Sequence, residues 1–262
     1  MLNLKIFFWL FLLITPLFLS TSFAEQASRT IKVTTIEYPP LMGAESGMVT
    51  EMVSAAFKAK SIHVEYEIYP MSRIIWSITE GHNDATVGSI LWYQKNEQAQ
   101  EVLVNNVYDT GMYFFYKKES FPKGFNYQKL EELGQYKIGY ITGGALISVF
   151  ANANITPHLV KDLKTNVKML NKMRIDMFAG TELGGWEAIR NQHPDSMSEF
   201  SMSDKTIYDI RGGIMFPKGG EELQEQFQQG FMIIKNNGTY LKLLKKYYGD
   251  RKIPQNLLDI KY

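Results

Sequence analysis

The chain contains no cysteine, which excludes disulfides, thiolate metal sites, thiol nucleophiles and any lipid attached through a thiol. It has little net charge. Its 28 basic and 27 acidic residues leave a formal +1, which is not the basic footprint of a nucleic-acid binder. Low-complexity tails and blocks of like charge are missing as well, so nothing in the composition points to disorder. Histidine is scarce: His63, His82, His158 and His193 include no pair at i, i+4, so no metal is expected. There is no Gly-x-Ser-x-Gly elbow, phosphate loop or dinucleotide fingerprint. The common hydrolase, kinase and dehydrogenase signals are therefore absent, and neither a cofactor nor catalysis is expected.

Long apolar runs are also rare. One stretch, Ile6 to Leu19, follows Lys5 and ends in Ser22-Phe23-Ala24, the pattern of a secretory signal cleaved before Glu25. Thr15 and Pro16 interrupt it, and it falls short of the ~20 residues that span a bilayer, which disfavours a permanent anchor. Residues 1–24 are thus read as a signal peptide, and the exported remainder as a free protein. Loss of Lys5 leaves basic and acidic residues equal in number.

What is present alternates between strand-like and helix-like segments. Ile31 to Ile36 is a short β-branched run that stops at Tyr38-Pro39-Pro40. Beyond Gly47, Met48, Val49, Met52, Val53, Ala56 and Phe57 recur at helical spacing, and Val64, Tyr66 and Ile68 alternate as in a strand. Ser72 is placed to cap a second helix that ends at Gly81, and Asp84 to Ser89 follows as a buried strand. A second set runs from Lys137 to Ile141 through Thr142-Gly143-Gly144 into a helix expected near Ala145. It continues with a strand over Ile175 to Phe178 and a helix over Glu182 to Asn191. Met112 to Tyr116 and Gly213 to Phe216 look like paired connectors flanking this insert. Two C-terminal helices, broken at Asn237-Gly238, should pack back on the first part. The alternation predicts an α/β protein whose mostly parallel sheets bind ligands beyond the carboxyl ends of their strands.

These residues resemble the family 3 periplasmic solute-binding proteins, which include amino-acid receptors of ABC importers. The resemblance rests on Glu37-Tyr38-Pro39-Pro40-Leu41, Glu80-Gly81-His82-Asn83-Asp84, Met215-Phe216-Pro217-Lys218-Gly219, Asn237-Gly238-Thr239-Tyr240 and Tyr247-Tyr248-Gly249, in the family's order. It implies a two-lobed periplasmic binding protein of type II, each lobe a mixed, mostly parallel sheet flanked by helices. Lobe 1 would comprise 25–115 and, with the return hinge, 211–262; lobe 2 would comprise 116–210. It also implies hinge closure on a small polar solute, amino-acid-like or an organic acid, and a monomer that serves an inner-membrane ABC permease. Two other implied readings are a ligand-sensing partner of a membrane signalling protein and a small-acid dehydratase.

Amino-acid receptors of this family usually carry an arginine about a dozen residues after the aspartate matched by Asp84, whose planar fork grips the ligand carboxylate. Here Leu91-Trp92-Tyr93-Gln94-Lys95-Asn96-Glu97 has none. Lys95 offers a point charge without the bidentate geometry. The other candidates each have an ordinary alternative. Tyr38 is a cleft wall, or a turn residue packed on its prolines. Ser89 is a strand-end donor, or a loop serine bonded to its own backbone. Trp92 and Tyr93 divide between stacking on ligand and packing in the core. Thr142, Gly143 and Gly144 lead to a helix N-terminus that attracts anions, or form a plain turn. Arg73 points into the cleft or lies solvated on its helix. Glu182 holds a ligand ammonium or simply favours a helix first turn.

Overall fold

The computed structural model describes residues 29–92 and 102–260; the expected signal segment lies outside them. The first β-branched run becomes β1 (Arg29–Thr35), with its inward residues Ile31, Val33, Thr34 and Thr35 buried. The helical stripe read from the sequence forms α1 (Met48–Lys58), and its apolar face, Met48, Val49, Met52, Val53, Ala56 and Phe57, is buried throughout. β2 (Ile62–Ile68), α2 (Met71–Thr79) and β3 (Ala85–Ser89) complete the first set. Helix α2 starts two residues earlier than a Ser72 cap requires. Pro70, with φ −57° and ψ 141°, takes the N-cap position, so Ser72 falls inside the first turn. Gly81 follows the helix at φ +70° and closes it as expected.

The long β4 (Val102–Lys117) carries the chain out of this lobe. The second lobe contains β5 (Ile138–Ile141), α3 (Ile147–Asn152), β6 (His158–Val160), α4 (Leu163–Asn171), β7 (Met177–Thr181), α5 (Glu182–Gln192) and β8 (Phe200–Met202). Side-chain caps fix two of its helices. Asp162 accepts from the Thr165 amide at 2.7 Å to start α4, and Thr181 accepts from the Gly184 amide at 3.2 Å to start α5. β9 (Tyr208–Pro217) then returns to lobe 1. There α6 (Glu221–Asn236) and α7 (Thr239–Tyr248) cover the sheet, and a short α8 (Gln255–Leu258) follows. Phe57, Phe216, Phe227, Phe231 and Tyr240 form a continuous ring cluster beneath these helices, with neighbouring centroids 5.4–6.5 Å apart. α1 and α6 meet at Gly230, where a Cβ would stand 2.0 Å from the Ala56 carbonyl oxygen.

Both lobes use one plan. In each, three parallel strands are followed by an antiparallel neighbour, and the strand order across the molecule is β2-β1-β3-β9-β4-β7-β5-β6, with β8 pairing β4. The connecting pair is β4 and β9, in register from Val102↔Pro217 to Met112↔Tyr208 with a bulge between Asn106 and Tyr108. The expected connectors, Met112 to Tyr116 and Gly213 to Phe216, do not themselves make the crossing. Met112–Tyr116 is paired to β7 in lobe 2, and Gly213, Ile214 and Met215 are paired to β3 in lobe 1. Between them, Asp109–Gly111 and Asp209–Arg211 pair only with each other.

Candidate functional site

The cleft lies where the carboxyl ends of β1, β3, β5 and β7 converge. On the lobe 1 side, the chain leaving β1 makes a tight turn. The Tyr38 amide donates to the Met42 carbonyl at 2.9 Å, and the Leu41 and Met42 amides return to the Tyr38 carbonyl at 3.0 Å. This turn aims Tyr38 across the cleft. Its hydroxyl accepts from the backbone N–H of Thr181 at 3.2 Å and from the Thr181 hydroxyl at 3.4 Å. Its ring edge would be 2.9 Å from a Cβ on Gly184, so the first turn of α5 accepts the ring only because that residue is glycine. Tyr38 is 8% exposed, and burial pushes its phenol pKa up against the opposing hydrogen bonds from Thr181. Met71, at the start of α2, faces Gly143 across the cleft: a Cβ on Gly143, whose backbone is left-handed at φ +74°, would stand 3.4 Å from the Met71 Cβ.

These contacts border two cavities. The inner one, about 50 Å³, is walled by Tyr38, Met71, Ser89, Trp92, Tyr108, Met112, Tyr140, Gly144, Thr181 and Ile210, among others. The outer groove, about 1040 Å³, runs from Glu37, Pro39, Ile68 and Tyr69 of lobe 1 to Thr142, Gly143, Leu159, Lys161, Lys164 and Glu187 of lobe 2. Ile36, Tyr38, Met71 and Ile141 belong to both walls and so separate the two spaces.

Of the residues singled out from the sequence, Tyr38, Ser89, Trp92 and Gly144 come together around the inner chamber, and Thr142 and Gly143 face the outer groove. Ser89 donates to the Arg211 carbonyl at 3.2 Å and accepts from the Leu91 amide at 3.3 Å, so its hydroxyl ties strand ends together. Trp92 lays its ring over Gly88, where a Cβ would be 1.9 Å from Cζ3. The helix start expected after residues 142–144 is corrected by two residues. Helix α3 begins at Ile147, not near Ala145, and spans six residues. The amide of Leu146, its N-cap, already donates to the Tyr140 hydroxyl at 3.0 Å.

Arg73 and Glu182 are not brought into either cavity wall. Arg73 is exposed on α2. Glu182 sits in the first turn of α5, where its charge adds to burial in raising the Tyr113 and Tyr248 phenol pKa values. Lys95 lies outside the described residues. Sequence reasoning missed Met71, Tyr108, Met112, Tyr140, Thr181 and Ile210. Only the position of Thr181 at the end of a strand, before a helix, could have signalled one of them.

Two sheet lobes joined by one antiparallel strand pair, with a cleft at the strand ends, define a solute-binding fold. Residues 31–250 match the family model of bacterial extracellular solute-binding proteins, family 3, and the chain belongs to that family. Among solved structures, it is similar to a histidine kinase sensor domain with similarity to periplasmic binding proteins. That match has 18% identity and a TM-score of 0.71, covering 86% of this chain and 98% of that one. It is also similar to an ancestral arginine-binding protein bound to arginine, at 20% identity and a TM-score of 0.67, with 84% and 98% covered. A third is the substrate-binding protein of an ABC uptake transporter from Streptococcus pneumoniae with bound histidine, at 14% identity and a TM-score of 0.69, with 84% and 93% covered. No curated protein matches the chain. Among the described residues, no helix is long and apolar enough to cross a membrane.

Proposed function

We propose that this protein is a periplasmic receptor, exported by a cleaved signal peptide, that captures a small solute between its lobes and presents the closed form to an inner-membrane ABC permease. The observation that carries this reading is the hydrogen bond from the Thr181 amide of lobe 2 to the Tyr38 hydroxyl of lobe 1, 3.2 Å across the cleft. The strand pair Asp109–Gly111 and Asp209–Arg211, held to no third strand, is where a hinge belongs. A ligand that touches both lobes favours the closed state by its differential contacts. No acid-base pair is assembled in the cleft from Arg73 and Glu182, and binding without chemistry is the reading adopted. A thermal-shift screen over solute classes, followed by small-angle scattering on each hit, tests it. A solute at 100 times its Kd should add about 2.7 kcal/mol of stability and reduce the radius of gyration. A screen without hits, or hits without compaction, would remove the reading.

A second reading keeps the cleft and changes the partner to a membrane signalling protein. Its support is the sensor domain of the same fold. Cross-linking of the ligand-bound protein in its native membranes separates the two, because capture of a permease or of a kinase identifies the recipient.

A further inference from the structure

We infer that the inner chamber is built for an uncharged, mainly apolar molecule, and that a zwitterionic amino acid is the wrong ligand class for it. The inference rests on the reading of the cleft as a ligand site, and it replaces the polar ligand expected from the family resemblance.

Among the described residues that line the chamber there is no aspartate, glutamate, lysine, arginine or histidine. Its surface is instead supplied by Met71, Trp92, Met112, Ile141 and Ile210, together with three tyrosines. An ammonium or carboxylate placed there would lose its water and gain no opposite charge from the described wall residues, which is costly unless hydrogen bonds replace the hydration.

Several polar groups of the wall are already engaged, while the Tyr108 hydroxyl has no hydrogen-bond partner among the described residues. Ser89 is tied to Arg211 and Leu91. The Thr181 amide and hydroxyl both donate to Tyr38, while that hydroxyl accepts from Gly184. The Tyr140 hydroxyl accepts from Leu146. The hydroxyls of Tyr38, Tyr108 and Tyr140 keep protons to donate, so the described wall can hydrogen-bond an uncharged polar group but supplies no charged fork for a carboxylate. Burial also raises the phenol pKa values of Tyr38, Tyr108 and Tyr140, which marks the space as poorly solvating for charge. At about 50 Å³ the chamber suits a compact apolar group.

The test compares matched pairs that carry one apolar group with and without the zwitterion: isoamyl alcohol against leucine, p-cresol against tyrosine, and indole against tryptophan. Each is titrated into the full-length exported protein, with thermal stability and heat of binding as readouts. At least one uncharged member should raise the melting temperature while its amino acid leaves it unchanged. That shift should disappear in Ala145→Leu, which fills the chamber from a half-buried turn position. It should disappear also in Thr181→Asp, which keeps a side-chain cap for α5 but puts a carboxylate in the wall. An amino acid that binds as well as or better than its uncharged partner would overturn the inference. So would an uncharged shift that survives both substitutions in folded protein. If only other, charged solutes bind, the inference falls and the receptor reading stands. If neither the pairs nor the broad screen gives a hit, both fall together.

Discussion

Tyr38 makes its hydrogen bonds between the lobes through a single atom, and removing that atom isolates their contribution. Tyr38→Phe keeps the ring against Gly184 but leaves the Thr181 amide without its acceptor. A hydrogen bond of this kind contributes about 1 kcal/mol net, and the unpaired amide regains water most readily if the lobes part. The variant should therefore have a larger radius of gyration than the parent in small-angle scattering, with little loss of overall stability. Equal curves would show that Tyr38 does not bias closure. Glu51 allows a separate test, remote from the cleft. Burial alone would raise its pKa, but hydrogen bonds from Lys246 at 2.6 Å and Tyr247 at 2.6 Å, together with the Lys246 charge, outweigh this and lower it below 4.5. A carboxylate with a depressed folded pKa adds stability above its unfolded value and loses it as the pH falls through the folded one. Glu51→Gln should thus lower the melting temperature at neutral pH and flatten its fall below the ordinary glutamate value. The effect should be small because the Lys246 side chain is more than half exposed and the pair is screened by solvent.

At the scale of elements, the crossing of α1 and α6 sets two known effects against each other. Alanine in place of a mid-helix glycine gains about 1 kcal/mol of helix propensity. At Gly230 the new methyl would stand 2.0 Å from the Ala56 carbonyl oxygen, and forcing two packed helices apart costs about 1–3 kcal/mol. Gly230→Ala should therefore be net destabilising in urea unfolding, and a stabilised variant would mean that α6 shifts freely. The same helices show what the sequence makes legible. The stripe of α1 and the break at Asn237-Gly238 were readable because period and punctuation are local. β4 was read only over Met112 to Tyr116, because Asn105, Asn106, Asp109 and Gly111 interrupt its apolar pattern. Asn106 and Asp109 are polar there because they bond each other at 2.9 Å beside the bulge. β6 and β8, three residues each, are too short for any period to show. In the cleft, Tyr38 was legible from its turn. Met71, Met112 and Ile210 read as ordinary core, because only the tertiary fold brings residues so far apart in the chain to one wall.

For the whole molecule, the receptor reading requires that closing the cleft and admitting a ligand exclude each other kinetically. The absence of native cysteine makes this directly testable. An ideal Cβ on Gly143 lies 3.4 Å from the Cβ of Met71, close to the ~3.5–4.5 Å spacing of disulfide-linked residues. Met71→Cys combined with Gly143→Cys should therefore form one inter-lobe disulfide on oxidation. The left-handed backbone at Gly143 adds strain of about 1–2 kcal/mol, and the bond would be correspondingly easy to reduce. Oxidised protein should keep the compact scattering curve and take up any ligand found in the screen far more slowly than reduced protein, and dithiothreitol should restore uptake. Because Asp109–Gly111 and Asp209–Arg211 pair only with each other between the lobes, the rate restored on reduction should depend on them. Proline at Thr110, whose amide lies in the β4–β9 pair, should change that rate while leaving the lobes folded. If the oxidised and reduced forms bound at the same rate, the ligand would reach its site without separation of the lobes, and the outer groove would be the port of entry.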